Sequence, residues 1–158
     1  MAKILVVYYS RGGNTARMAE LVADGAREAG VQVDLRRVED TPAADLVDYD
    51  GIIAGSPTYY GLMSAELKRL FDDSVKHHRR LSGKAGGAFT SSGNIGGGNE
   101  TTLMSILQAM LIHGMIVQGT PDGDHYGPVA IGPPDERAAG QCRALGRRVA
   151  ELARKLAG

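Results

Sequence analysis

Short apolar runs alternate along the chain with longer segments whose apolar residues recur every three or four positions. The runs predict five strands, at residues 4–9, 31–36, 50–56, 85–90 and 115–119. The other segments predict helices at residues 15–29, 43–47, 64–75, 100–113 and 135–156. A period of two residues is typical of strands and one of 3.6 of helices, so the alternation indicates an α/β protein.

The first two predicted strands differ in a way that places them in a sheet. The first is apolar on both faces, which is typical of a buried parallel strand, whereas the second alternates between apolar and polar residues, as edge strands do. With right-handed crossovers, this predicts a five-stranded parallel sheet in the order 2-1-3-4-5. The chain contains no repeat and no linker, so residues 1–158 are expected to form one domain.

A polar, glycine-rich loop connects the first strand directly to the first helix. It consists of Ser10, Arg11, Gly12, Gly13, Asn14 and Thr15. Glycines let backbone N–H groups converge, the hydroxyl and amide side chains add donors, and the N-terminus of a helix favours negative charge. The loop therefore predicts an anion-binding site.

Two further loops, rich in glycine or turn residues, follow the third and fourth strands, at residues 57–61 and 91–98. In the predicted order, the loops after strands one, three and four meet at the carboxyl edge of the sheet, where ligands bind in such folds. The dinucleotide fingerprint G-x-G-x-x-G and the Walker lysine are both absent after the first strand. The third strand also lacks the terminal acidic residue that a receiver domain needs.

Charge and cysteine content exclude several classes of protein. Lys plus Arg and Asp plus Glu each total 18, so nothing in the net charge predicts binding to nucleic acid or to an anionic membrane. The single cysteine, Cys142, excludes an internal disulfide framework and a cysteine-based metal cluster, and we expect no metal. No apolar segment approaches the length of a membrane span, so we expect a cytoplasmic protein without membrane insertion.

Five segments of the chain carry a resemblance to a known family. In order they read YYSRGGNTARMA, GSPTYYGLMSAELKRLFD, SSGNIGGGNETT, HGM and YGPVAIG. The first contains a loop that looks like the flavodoxin phosphate loop. Together the segments resemble the Trp-repressor-binding-protein (WrbA-type) family of flavodoxin-like NAD(P)H:quinone oxidoreductases. The resemblance covers nearly the whole chain, and it implies a flavodoxin-like three-layer sandwich, bound FMN and NAD(P)H as co-substrate.

The resemblance also implies roles for individual residues. Residues 10–15 would hold the ribityl phosphate, residues 58–60 would line the flavin ring, and residues 92–97 would direct N–H groups at its polar edge. The implied cofactor-binding residues are Ser10, Arg11, Gly12, Gly13, Asn14, Thr15, Pro57, Thr58, Tyr59, Tyr60, Gly61, Ser91, Ser92, Gly93, Asn94, Ile95, Gly96 and Gly97. Tyr59 and Tyr60 have an alternative interpretation, as ordinary packing within their loop.

Two residues are candidates for catalysis, as the nearest polar contacts to a quinone oxygen: His113 and Tyr126. Each has a structural alternative. His113 is the last residue of a predicted helix, where a histidine interacts favourably with the helix dipole. Tyr126 lies in a predicted loop, where a tyrosine commonly packs against its surroundings.

The chain departs from the family pattern in ways that concern assembly. It is shorter between strands two and three and after strand five, and the missing insertions are tied to tetramer formation, so we expect a homodimer or a homotetramer.

The chain also differs from the family at single positions. The family's tryptophan after the third helix has no counterpart, and this chain has His77 and His78 instead. The family also has a histidine beside the flavin, and in this chain the position of that histidine is occupied by Ile112. Residues 77–80 and 120–134 are candidates to cover the flavin across a subunit boundary, although residues 77–80 also fit a solvated connector.

Two functions compete on this pattern. One is an FMN-dependent oxidoreductase that transfers two electrons from NAD(P)H to a quinone-like acceptor; the other is a flavodoxin-type electron carrier between protein partners. Carriers usually present an acidic face to their partners, whereas residues 56–63 and 91–99 contain no Asp or Glu. The loop at 91–98 also contains no aromatic residue, which leaves one face of the flavin open to a substrate. Both features favour the oxidoreductase. A redox-sensing interaction protein is a third alternative without support in this neutral chain.

Overall fold

The computed structural model describes residues 1–158, in which strands and helices alternate. The strands are β1 (Lys3–Tyr8), β2 (Gln32–Arg37), β3 (Gly51–Pro57), β4 (Ala85–Ser92), β5 (Ile116–Val117) and β6 (Val129–Ile131). The α-helices are α1 (Asn14–Glu28), α2 (Ala65–Asp73), α3 (Asn99–Ile112) and α4 (Glu136–Leu156). Short 3-10 helices occur at Val38–Asp40, Ala43–Asp48 and Ser74–His77. None of the helices combines the length and the apolar character needed to cross a membrane.

The sheet is parallel throughout and has the strand order β2-β1-β3-β4-β5, which confirms the predicted order 2-1-3-4-5. Strand β2 lies at one edge and is only partly buried along most of its length, as its alternating pattern predicts. Strand β1 pairs with both β2 and β3, so both of its edges are paired within the sheet. The carboxyl ends of β1, β3 and β4 therefore lie side by side.

The fifth position of the sheet differs from the prediction. The sequence pattern predicts a continuous strand at residues 115–119 and no strand in residues 120–134. Instead, the short strand β5 pairs with the beginning of β4, the chain then leaves the sheet, and β6 returns to pair with the end of β4. Because β6 has only three residues between a proline and a glycine, it is too short to show strand periodicity in the sequence.

Two layers of helices cover the sheet and separate the core into two parts. Alternate residues of β1 point to opposite faces, so that Ile4 and Val6 pack with α1 and α4, whereas Leu5 and Val7 pack on the side of α2 and α3. All four side chains are fully or almost fully buried. This arrangement is the three-layer sandwich that the sequence predicted.

Three large apolar residues near the ends of α2 and α3 lie at the surface. Val75 falls in the 3-10 helix that follows α2, where the helical register changes, and its side chain is 68% exposed. Leu111 lies near the end of α3 and is 56% exposed. Its neighbour Ile112, the last residue of that helix, is 76% exposed. Together they give this end of the molecule an exposed apolar surface.

Candidate functional site

The three predicted loops meet at the carboxyl edge of the sheet and enclose a crevice of about 200 Å³. Its lining consists of Ser10, Arg11, Gly12, Asn14, Thr15, Pro57, Thr58, Tyr59, Ser91, Ser92, Gly93 and Gly132. Arg11 is the only charged residue among them, and no carboxylate lines the crevice. A space surrounded by neutral donors and one cation is suited to an anion.

The loop at residues 10–15 directs unpaired backbone donors into this crevice. Five N–H groups of the loop donate to no other residue of the protein, those of Ser10, Arg11, Gly12, Asn14 and Thr15. The loop keeps its shape through Ser10, whose Oγ accepts hydrogen bonds from the N–H groups of Gly13 at 3.1 Å and Ala16 at 3.2 Å. Gly13, with a φ of 100°, precedes the first turn of α1, so the helix dipole adds to the attraction for an anion.

Thr15 connects this loop to the end of β4. Its Oγ1 lies 2.8 Å from the Oγ of Ser91, and both side chains are buried. Each hydroxyl carries one proton, and the single hydrogen bond between them uses only one of the two protons. The remaining proton has no acceptor within the protein, so this buried pair offers one further donor to a ligand in the crevice.

The loop after β3 is a tight hairpin that presents Tyr60 at its tip. Tyr59 and Leu62 exchange both of their backbone hydrogen bonds, which leaves Tyr60 and Gly61 as the two turn residues. Their φ angles are 50° and 78°, as in a type I′ turn. A tyrosine in this left-handed conformation costs roughly 1–2 kcal/mol, and such strain is found most often at functional sites. Tyr60 is fully exposed.

The loop after β4 lies directly against this hairpin. A β-carbon placed on Gly98 would lie 2.7 Å from the Cα of Gly61, so the two loops approach this closely only because residue 98 is glycine. The carbonyl of Gly98 also accepts hydrogen bonds from the hydroxyls of Thr101 and Thr102, which fixes the start of α3. Five more N–H groups in this loop donate to no other residue, those of Gly93, Asn94, Ile95, Gly96 and Gly98.

A second hollow of about 750 Å³ adjoins the crevice, between the loop after β4 and the segment that joins β6 to α4. Three of its four charged side chains, those of Asp124, Asp135 and Arg137, have partners within the protein, whereas the carboxylate of Glu100 has none. Arg137 donates to the carboxylate of Asp124 at 3.0 Å and to the carbonyl of Val129 at 2.7 Å. The second carboxylate oxygen of Asp124 accepts the N–H of Val129. These bonds hold β6 in place beside the crevice.

The structure places the predicted site residues in two groups. Eleven of them line the crevice, and Gly13, Tyr60, Gly61, Asn94, Ile95, Gly96 and Gly97 belong to the same three loops without lining it. Gly132 also lines the crevice but was not predicted. Gly132 is the last residue of the segment YGPVAIG. Its position directly after a short apolar run is the one feature of the sequence that could have identified it as a residue of the crevice.

The two candidate catalytic residues lie elsewhere. Tyr126 is 49% exposed in the segment between β5 and β6 and lines neither the crevice nor the second hollow. His113 follows the last residue of α3, whereas the crevice lies at the first, and a helix of 14 residues is about 21 Å long. His113 is therefore at the opposite edge of the sheet from the three loops.

His113 has its own buried environment there. The hydroxyl of Ser74 donates to the carbonyl of Phe71 at 2.6 Å, so the Nε2 of His113, 2.7 Å away, donates to Ser74. The Nδ1 atom is buried without a partner. Burial, with a smaller contribution from His78, lowers the pKa of His113, which keeps the imidazole neutral.

Comparisons with known proteins agree with this geometry. The flavodoxin domain family matches residues 5–108. A protein of Archaeoglobus fulgidus named NAD(P)H dehydrogenase (quinone) is 39% identical over an alignment of 190 positions, which covers 99% of this chain and 100% of the relative. A protein of Aquifex aeolicus named flavodoxin is 46% identical, over 96% of this chain and 86% of the relative. The crystal structure of a flavodoxin, WrbA-like protein from Agrobacterium tumefaciens has a TM-score of 0.83 and 31% identity, and the match covers 98% of this chain and 99% of that one.

Proposed function

This chain belongs to the flavodoxin domain family, and on that premise we propose that it is an FMN-dependent oxidoreductase that transfers two electrons from NAD(P)H to a quinone-like acceptor. Relatives named NAD(P)H dehydrogenase (quinone) align with the full length of the chain. The observation that carries the proposal is the crevice itself, in which unpaired N–H and hydroxyl donors surround a space without carboxylates. We also propose a cytoplasmic location.

The donors of the crevice fit the phosphate of FMN. The free N–H groups at residues 11, 12, 14 and 15 and the free hydroxyl proton of the Thr15–Ser91 pair all belong to its lining. An added β-carbon on Gly12 or Gly13 meets nothing within 4 Å, so the backbone is open to close approach by a ligand. A phosphate bound here would satisfy donors that otherwise have no partner.

The other two loops fit the flavin ring. We assign Thr58, Tyr59 and Tyr60 to one side of the ring, and the free N–H groups of residues 93–96 to its polar edge. When bound, FMN accepts two electrons and a proton from a reduced nicotinamide and passes them to an acceptor. The protein's part is to hold the ring, to keep carboxylates away from it and to leave one face open, because the loop after β4 carries no aromatic side chain.

An electron carrier remains the second candidate, because the protein of Aquifex aeolicus that is 46% identical to this chain is named flavodoxin. The charge distribution favours the enzyme. A carrier needs a charged docking face, whereas the formal net charge here is zero and the loops around the crevice contain no acid.

Anaerobic mixing of the FMN-loaded protein with NADH and with NADPH tests the choice. The enzyme is expected to lose its oxidised flavin absorbance with at least one of the two nucleotides. Quinone reduction is then expected to follow ping-pong kinetics, because both substrates use the same open face in turn. Flavin that reacts with dithionite but with neither nucleotide would identify a carrier.

We predict that the crevice discriminates between FMN and riboflavin. The double variant Asn14→Ala, Thr15→Ala removes two donors to the phosphate, and each such bond to a charged group contributes about 1.5–3 kcal/mol. FMN affinity, measured from the quenching of flavin fluorescence, is expected to fall by at least tenfold. Riboflavin, which lacks the phosphate, is the matched control: it should bind weakly to the wild type and equally weakly to the variant. Equal affinity of the wild type for both flavins would contradict the phosphate assignment.

We predict that Tyr60→Asn stabilises the protein and weakens its binding of FMN. Asparagine adopts the left-handed turn readily, so the free energy of unfolding in urea is expected to rise by about 1 kcal/mol. Loss of the aromatic ring is expected to weaken FMN binding by roughly 0.5–1.5 kcal/mol. Tyr60→Phe, which keeps both the ring and the strain, is the control and should change neither quantity appreciably. Unchanged FMN affinity in Tyr60→Asn would remove Tyr60 from the site.

We further propose that the chain forms a homodimer or a homotetramer and that His113 takes no part in catalysis at its own chain's crevice. The exposed side chains of Val75, Leu111 and Ile112 support assembly, because together they leave an apolar surface uncovered at the end of the molecule that carries His113. Light scattering of the FMN-loaded protein tests the oligomer. A monomer with full activity would rule it out.

A further inference from the structure

A single arginine from the neighbouring strand holds the first peptide of the loop at residues 10–15. Arg37 is the last residue of β2 and pairs with Tyr8 in the sheet. Its Nη2 donates a hydrogen bond of 2.8 Å to the backbone carbonyl of Ser10. No other side chain donates to this carbonyl.

Besides the bond to Ser10, the guanidinium has two further contacts, and the backbone of Arg37 has one. Its central carbon lies 5.6 Å from the centroid of the Tyr8 ring, in a cation–π contact. The carboxylate of Glu39 accepts a second hydrogen bond from the same guanidinium at 3.3 Å. The hydroxyl of Thr41 donates to the carbonyl of Arg37 at 2.8 Å, which fixes the end of the strand. Although 42% of its side chain is exposed, Arg37 thus contacts the Ser10 carbonyl, the Tyr8 ring and Glu39 at the same time.

The direction of the Ser10 carbonyl determines the direction of the next N–H group. In a planar trans peptide the C=O of one residue and the N–H of the next point in opposite directions, and the chain contains no cis peptide. Since the carbonyl of Ser10 points towards Arg37 on the β2 side, the N–H of Arg11 points away from it. Arg11 lines the crevice, and its N–H has no acceptor in the protein.

We infer that Arg37 is a positioning residue for anion recognition, which holds the Ser10–Arg11 peptide so that its N–H, and not its carbonyl, faces the phosphate. The inference rests on the proposed function and adds to it a residue outside the three loops. The opposite orientation of the same peptide would direct a partially negative oxygen at the phosphate. One peptide rotation therefore exchanges an attractive contact for a repulsive one.

A role through orientation differs from a role through charge, and the chain offers variants that separate them. Arg37→Met removes the donor and the charge, whereas Arg37→Lys keeps both. Glu39→Gln leaves the bond to Ser10 in place and makes the surroundings more positive. If Arg37 acts through orientation, Glu39→Gln changes FMN affinity by less than twofold, whereas a simple charge effect would tighten binding.

The test measures FMN and riboflavin dissociation constants for these variants. Arg37→Met is expected to weaken FMN by roughly tenfold or more, the loss of one hydrogen bond to a charged group, and to leave riboflavin unchanged. Arg37→Lys, which keeps a donor and a positive charge, is expected to retain most of the FMN affinity of the wild type. Equal losses for FMN and riboflavin would show a general structural role and overturn the inference, as would unchanged FMN affinity in Arg37→Met or tighter FMN binding in Glu39→Gln.

A second measurement begins with the wild type, and this first part does not depend on any variant folding. In the FMN complex, NMR is expected to detect a coupling through the hydrogen bond between the Arg11 amide and the phosphorus. In Arg37→Met this coupling should disappear while that of the Asn14 amide, which belongs to α1, remains. A wild-type complex without the Arg11 coupling overturns the inference and leaves the proposed function intact. A wild-type protein that does not bind FMN overturns both.

Discussion

Replacing Gly98 with alanine is expected to weaken FMN binding by about a hundredfold. Two penalties combine at this residue. Its φ of 98° is unfavourable for any residue with a β-carbon, at roughly 1–2 kcal/mol, and that carbon would meet the Cα of Gly61 at 2.7 Å. Forcing apart two well-packed segments costs about 1–3 kcal/mol, so the hairpin that carries Tyr60 is expected to move away from the flavin. Every 1.4 kcal/mol corresponds to tenfold in affinity.

Two neighbouring glycines separate the contributions to this effect. Gly96 has a φ of 69° but its β-carbon would meet nothing within 4 Å, so Gly96→Ala carries the conformational penalty alone. Gly93 has neither a positive φ nor a close neighbour, so Gly93→Ala carries neither penalty. FMN titrations are expected to rank the losses as Gly98 > Gly96 > Gly93. A loss at Gly98 no larger than that at Gly96 would show that the contact between the loops does not position the ring.

Replacing Gly146 with alanine is expected to lower the free energy of unfolding by about 3 kcal/mol. The helices α1 and α4 pack side by side, and a β-carbon on Gly146 would lie 2.0 Å from the carbonyl oxygen of Val22. The same contact is repeated from the other helix, where a β-carbon on Gly25 would lie 2.1 Å from the carbonyl oxygen of Arg143. Both obstacles are backbone atoms, so no side chain can rotate to make room, and the helices must separate.

Gly140 provides the matched control in the same helix. It is exposed in α4, and its β-carbon would meet nothing within 4 Å. Gly140→Ala is therefore expected to stabilise the protein by about 0.5–1 kcal/mol, because alanine favours the helix over glycine. Urea unfolding of both variants should give shifts of opposite sign. A Gly146→Ala protein as stable as the wild type would be inconsistent with the close packing of the two helices.

The sequence was sufficient to predict the fold and the location of the crevice, for physical reasons that are local. A strand that is apolar on both faces must be buried on both faces, and a strand with alternating polarity belongs at an edge. Once the strand order follows, the ends of β1, β3 and β4 must lie at one edge of the sheet. The loops that carry Ser10, Thr58 and Ser91 therefore meet, and all three residues line the crevice.

The structure places His113 away from the crevice of its own chain, and the direction of α3 is the reason. The sequence suggested His113 as a polar contact to a quinone oxygen, with a position at the end of a helix as the structural alternative. A helix of 14 residues carries the chain from one edge of the sheet to the other. The strand β6 was missed for a different reason, since three residues are too few to show a period and only pairing with β4 makes them a strand.

The tertiary structure alone determined the contacts that shape the site. The bond from Arg37 to Ser10 joins residues 27 positions apart, and that between Thr15 and Ser91 joins residues 76 positions apart. The close approach of Gly98 to Gly61 is likewise a contact between separate loops. No period or local motif encodes such distances, because they depend on how the layers pack. The sequence by itself thus determined which loops form the site, and packing determined which backbone and side-chain groups face a ligand within it.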